Sequence, residues 1–181
     1  MSRNYKFHNQ ESPYFITFAT VNWIDVFIRS QYRDILVESI NYCIQNKGLV
    51  VYAWVIMTSH VHMIIGTEKE NMQDIIRDMK KYTSKAVLNA IKENPRESRR
   101  EWMLWMFERA GKKNGNNKNY QFWQQHNKPI ELLSSKIIDQ KLNYLHNNPV
   151  DEGFVLESHE YKYSSAIDYS DGKGLVKIVL I

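Results

Sequence analysis

The apolar run Val50 to Ile65 (VVYAWVIMTSHVHMII) is broken once, at Thr58-Ser59. Two strand-like segments separated by so short a polar turn, Leu49 to Met57 and His60 to Gly66, are expected to pair as an antiparallel hairpin. Alternation then sets Trp54 and Ile56 on one face and Val55 and Met57 on the other. His60-Val61-His62 opens the second strand, so its two imidazoles lie side by side on one face. Neutral imidazoles so placed can share a divalent metal ion. The alternative is a solvated or hydrogen-bonded pair near a strand edge.

The flanking sequence surrounds this hairpin with alternating element types. Tyr14 to Val21 (YFITFATV) reads as a strand. From Ser30, the apolar positions Ile35, Leu36, Ile40 and Cys43 follow a helical period that Asn46-Lys47-Gly48 stops. Asn71 to about Asn94 carries Met72, Ile75, Ile76, Met79, Val87, Leu88 and Ile91 at helical spacing, with Pro95 beyond. Residues 95 to 119 read as a mobile basic insertion: cations alternate with Trp102, Trp105 and Phe107, and a turn-rich stretch from Arg109 to Lys118 follows. Tyr120 to Trp123 resumes strand-like composition. Ser134-Ser135 offers a cap for a helix ending at Asn147-Asn148-Pro149, and the tail holds a helical turn around Tyr163 to Tyr169. The class is α+β, and without repeats or a long linker the 181 residues form a single domain.

A formal net charge of +4 with 13% aromatic residues favours a polyanionic partner, since cations contact phosphates and exposed rings stack on unpaired bases. The single cysteine, Cys43, excludes an internal disulfide framework and a cysteine-rich zinc site, and suits a reducing cytoplasm. No apolar stretch approaches a membrane span, and Met1 to Lys6 leads into polar residues instead of a signal core. A cytoplasmic protein without a membrane partner is expected.

A second motif lies at Asn143-Tyr144-Leu145-His146-Asn147-Asn148-Pro149-Val150. On a helix, residues four apart share a face, so Tyr144 and Asn148 project together. A phenol is a poor nucleophile at its ordinary pKa near ~10, but a divalent ion can stabilise its phenolate and polarise a phosphodiester. An amide oxygen suits the third position of a two-histidine site. Otherwise, Tyr144 packs on the apolar face and Asn148 caps the helix.

Taken in order, the strand and helix, Ala53-Trp54-Val55-Ile56-Met57-Thr58-Ser59-His60-Val61-His62, the long helix, Phe122-Trp123, Tyr144-x-x-x-Asn148-Pro149-Val150 and Gly153-Phe154-Val155 resemble the single-tyrosine HUH transposases. Within these, the chain is most similar to the REP-associated tyrosine transposases of bacteria. The resemblance implies a ferredoxin-like (RRM-like) antiparallel sheet with helices packed on it. It implies that His60, His62 and Asn148 hold Mg2+ or Mn2+. Tyr144 is then the nucleophile that cleaves and rejoins single-stranded DNA at hairpin-containing sites through a 5′-phosphotyrosine. A bacterial, nucleoid-associated location and a homodimer are further implications, with the tyrosine supplied in cis or in trans.

Two departures stand out: Thr58-Ser59 replaces the Pro-Asn or Pro-Glu common in relatives, and the 95 to 119 insertion exceeds that of compact members. Tyr82, on a helix beside cations, competes as nucleophile but has no oxygen ligand four residues away. Lys80, Lys81 and Lys85, with Lys112, Lys113 and Lys118 of the insertion, are candidate phosphate contacts or a solvated surface. Trp102, Trp105 and Trp123 are candidate stacking platforms. A water-using metal-dependent nuclease and a catalytically silent hairpin-binding protein are the other readings of the same residues.

Overall fold

A computed structural model describes residues 7–69, 71–114, 119–125 and 129–181. Lys118, one of the expected DNA contacts, lies outside them. The elements in chain order are β1 (Tyr14–Ala19), α1 (Ser30–Lys47), β2 (Leu49–Ile56), β3 (His60–Thr67), α2 (Met72–Glu93), α3 (Arg100–Lys112), β4 (Ile130–Glu131) and α4 (Ser135–Asp151), joined in part by short 3-10 turns. The four strands form one antiparallel sheet in the order β2-β3-β1-β4. With the β1-α1-β2-β3-α2-β4 connectivity, this is the ferredoxin-like arrangement expected from the sequence.

The β2–β3 hairpin closes through Thr58-Ser59, with the Met57 amide donating to the His60 carbonyl at 2.8 Å. Neighbouring segments clamp the turn: Thr20 N–H donates to Ser59 O, and Phe27 N–H to Thr58 O. The backbone that carries the histidines is therefore held from two sides. Gly48, in left-handed φ of 74°, ends α1 and donates to Cys43 O, as the sequence stop predicted. A side chain there would also strike Lys69, since a Cβ would approach to 2.7 Å.

The two sheet faces have different covers. Phe18 looks toward α2, where Lys80 stands over its ring, whereas Phe15, an odd number of residues away, meets Tyr144 of α4. Helices α1 and α2, which pack on each other, thus occupy one face, and α4 the other. The outer edge of β2 is covered by the C-terminal segment: Ile56 N–H donates to Tyr163 O, Trp54 N–H to Ser165 Oγ, and Val179 N–H to Val51 O. An open strand edge is an aggregation liability, and this one is closed.

Three sequence expectations change. The segment read as a mobile insertion contains helix α3, whose Met103, Phe107 and Gly111 are buried at four-residue spacing. Its start is anchored by Glu97, 4% exposed, which accepts from Arg29 Nε at 2.6 Å, while Arg99 bonds Asp25 at 2.5 Å. Tyr120 to Trp123 forms no strand beyond an isolated bridge from Trp123 to Thr20, and β4 lies later, at Ile130. Helix α4 carries Pro149 in its last turn and runs to Asp151, past the expected stop. A proline removes only one donor there, and Gly153, at φ 73°, completes the exit.

His146 of α4 is buried, bonded through Nε2 to Ser165 Oγ at 2.9 Å, and burial lowers its pKa to about 4. The unfolded chain takes up this proton near pH 6.5 and the folded chain only near 4, so stability is full above 6.5 and declines as pH falls. The expected loss from this group between those values is roughly 3 kcal/mol, measurable by urea unfolding at each pH. His146→Gln should flatten that slope.

Candidate active site

Strand β3 places His60 and His62 on the face toward α4, with 4.8 Å between ring centres. His62 is opposite Thr17 of β1, whose hydroxyl lies 2.7 Å from His62 Nδ1. The His60 Nδ1 lies 3.3 Å from Ser59 Oγ. Hydroxyls at Nδ1 leave Nε2 as the outward nitrogen, and an Nδ1 proton donated to Thr17 would put the free lone pair of His62 on Nε2. That atom is buried and, among the described residues, has no hydrogen-bond partner.

Helix α4 supplies the other groups. Its Ser134 N-cap accepts from Ile137 N–H, Leu145 and Pro149 bury its inner side, and the Tyr144 ring stands 5.2 Å from that of His62. Tyr144 is 47% exposed, so its face of the site is open to solvent. Asn148, one turn on, is buried, and its Oδ1 also lacks a hydrogen-bond partner among the described residues. The amide is close enough to favour a proton on His60, but not in hydrogen-bonding geometry. Two buried polar atoms without partners are costly unless a ligand satisfies them.

The electrostatics keep the pair neutral. Burial, then the neighbouring His60 and Lys141, lowers His62 to about 3; burial lowers His60 too, against the opposing pull of Glu152 and Asn148. Among the described residues, no three His, Cys, Asp or Glu side chains gather as a metal site. Any ion held here would take two imidazoles and an amide as its protein donors, all uncharged. Such a set would suit a divalent ion that completes its shell with water or substrate oxygen, and would leave the ion's charge for an anionic substrate.

Sequence reasoning missed three neighbours of this site. Lys141 Nζ lies 5.1 Å from the centre of the Phe15 ring and 5.8 Å from that of Tyr144, and no described carboxylate pairs with it. Its position three residues before Tyr144 was a usable signal. Glu152, four residues after Asn148 at the helix end, acts on His60 through its charge. Trp23 stands edge-on to His60 at 5.4 Å, and nothing in the local pattern marked it.

The chain matches the family model of IS200-like transposases over residues 11–108. It belongs to the IS200-like transposase family. The matched span includes His60 and His62 but ends before Tyr144 and Asn148. Among solved structures, a REP-associated tyrosine transposase bound to a REP hairpin shares the fold, with a TM-score of 0.67 and 17% identity over 99% of this chain and 92% of that one. A Deinococcus radiodurans protein matches more loosely, with a TM-score of 0.45 and 18% identity over 81% of this chain and 95% of its own. No curated protein matches the sequence.

The expected DNA contacts divide. Lys81 and Lys85 are exposed on α2, and Lys112 and Lys113 at the end of α3, where Lys112 pairs with Glu108 at 2.6 Å. Lys80 is instead built into the scaffold: its ammonium donates to Gln124 O at 2.9 Å, and burial lowers its pKa to about 8. Trp123, expected to stack on bases, is 6% exposed, packs among Phe18, Phe27 and Phe122, and donates to Thr83 Oγ1. Its rings are core. Trp102 and Trp105 remain half-exposed. No helix of the described residues is long and apolar enough to cross a membrane.

Proposed function

We propose that this family member is a metal-dependent enzyme that nicks and rejoins single-stranded DNA, with Tyr144 as nucleophile and His60, His62 and Asn148 holding Mg2+ or Mn2+. The observation that carries the reading is the pair of buried, partnerless atoms, His62 Nε2 and Asn148 Oδ1, beside a half-exposed phenol. A bound divalent ion would polarise the scissile phosphodiester and balance charge on the departing oxygen. The chain's own groups would do the rest. Tyr144 Oη attacks phosphorus, its bond to phosphorus forms, and the bond from phosphorus to the 3′ oxygen breaks, leaving a free 3′-hydroxyl once that oxygen takes a proton. Lys141, beside the phenol and without a described carboxylate partner, is placed to attract the phosphate. Rejoining is the reverse attack and needs no nucleotide cofactor.

Hairpin-bearing DNA is the proposed substrate, in keeping with the REP hairpin bound by the fold relative. The test is incubation of the full chain with hairpin oligonucleotides from the gene's own flanks, with Mn2+, followed by denaturing electrophoresis. A covalent protein–DNA band is expected. Cleavage without the band indicates water as nucleophile; binding with an intact strand indicates a silent hairpin-binding protein. A homodimer and a place near the nucleoid accord with this reading and would be read by sedimentation and by imaging.

The exposed lysines yield a separate expectation. Replacing Lys112 and Lys113 by Gln should weaken hairpin binding for every flank sequence and flatten the log-log dependence on salt by about 0.7 for each single-strand phosphate no longer neutralised. An unchanged slope would assign them to the solvated surface, and the same measurement on Lys81→Gln and Lys85→Gln would then locate the phosphate-binding cations.

A further inference from the structure

Beyond β1, the chain turns through Val21–Trp23, where Asn22 and Trp23 both adopt a left-handed φ of 55°. Neither is glycine, and a bulky residue in this region is strained. Such strain persists where the surroundings enforce it, and it gathers at functional sites. Here Val21 N–H donates to Phe122 O, Ile24 N–H to Val21 O, and the Thr20 hydroxyl to Ile24 O. Val21 and Ile24 turn into the core, whereas the Trp23 indole stays 58% exposed next to His60.

Beside this indole opens a cleft of about 650 Å³ between the turn and α3. Arg109, Lys113, Gln121 and Gln124 stand on its walls with Asn22, and no acidic residue among the described ones lines it. Arg109 lies over the Trp105 ring at 5.2 Å and, among the described residues, pairs with no carboxylate. An aromatic face, amides and cations, joined to His60 through the Trp23 ring, match the chemistry of an unpaired nucleotide: stacking for the base, charge for its phosphate.

We propose that Trp23 and this cleft are the subsite for an unpaired nucleobase adjoining the phosphate at His60 and His62, the base stacked on the indole and its backbone directed to Arg109 and Lys113. The inference rests on the proposed function and adds the residue that grips the strand beside the cut. Stacking reads the ring face, so the subsite would accept any base and reject a missing one.

The test uses the full chain with a chelator present, so that binding is read without cleavage. Fluorescence anisotropy would compare hairpins bearing a single-stranded flank on either side with the same hairpins carrying abasic sites in that flank. Wild type should prefer one base-bearing flank by about 5- to 150-fold, the span of one base–aromatic stack. Trp23→Ala should erase the preference and Trp23→Phe keep most of it. Trp23→Gly removes the ring while suiting the left-handed backbone, so it should erase the preference with no loss of melting temperature. A preference kept by Trp23→Gly, or absent from wild type, overturns the subsite. If the wild type still forms the Tyr144 adduct with Mn2+, that failure belongs to the subsite alone; if it neither binds nor reacts, both readings fall.

Discussion

Tyr144→Phe is expected to abolish the covalent protein–DNA adduct while hairpin affinity stays within about 1 kcal/mol of wild type. The ring's neighbours Phe15, His62 and Lys141 keep their packing, and only the hydroxyl is lost. The rate should fall on the order of 10⁶-fold, the scale of an enzyme deprived of its nucleophile. Tyr82→Phe serves as the control. Although exposed, Tyr82 lines a groove with Tyr42 and Cys43 between α1 and α2, across the sheet from the histidines. Adduct formation by Tyr144→Phe, or its loss in Tyr82→Phe, would overturn the assignment.

His60→Ala and His62→Ala should each stop cleavage, and a chelator should do the same to wild type, because the two imidazoles are the strong donors of the proposed set and one imidazole with an amide oxygen is too weak to hold the ion. Asn148→Ala is expected to weaken metal binding by about 10- to 100-fold without eliminating it, if the amide counts as a supporting ligand. Calorimetric titration with Mn2+ separates these effects from folding. The His62 change removes a buried ring that is hydrogen-bonded to Thr17 and stacked on Phe15, so its melting temperature is expected to fall, and the metal titration is read at a temperature where the variant is folded. Wild-type rates from both histidine variants without added metal would make the pair structural.

The parts of the fold with a regular period were legible in the chain. The β2–β3 hairpin, α1 and α2 announce themselves by alternation or a 3.6 period, and Gly48 marks its helix end. The site was legible to the extent that it follows from local spacing: residues two apart on a strand and four apart on a helix. What brings those two pairs together is nonlocal, through Phe15 and Thr17 of β1, and no local pattern encodes it. Helix α3 was obscured because Trp102 and Trp105 face solvent while Met103 and Phe107 face inward, so aromatic residues gave no consistent stripe. Trp123 misled in the opposite direction: its strand-like neighbourhood enters the core without a strand partner beyond one bridge. Trp23 is the hardest case, since its display depends on a backbone conformation that its residue type disfavours.

The meeting of α4 with β3 within one chain also bears on stoichiometry. Histidine pair, amide and phenol converge in a single molecule, and the competing tyrosine, Tyr82, lies across the sheet. Under the proposed chemistry each protein molecule can then carry one DNA end at a time. Excising a segment creates two ends to be exchanged, so the reaction must either recruit a second molecule or let one site release its first end before taking the next. The dependence of excision on protein concentration, second order in the former case and first order in the latter, would separate the two.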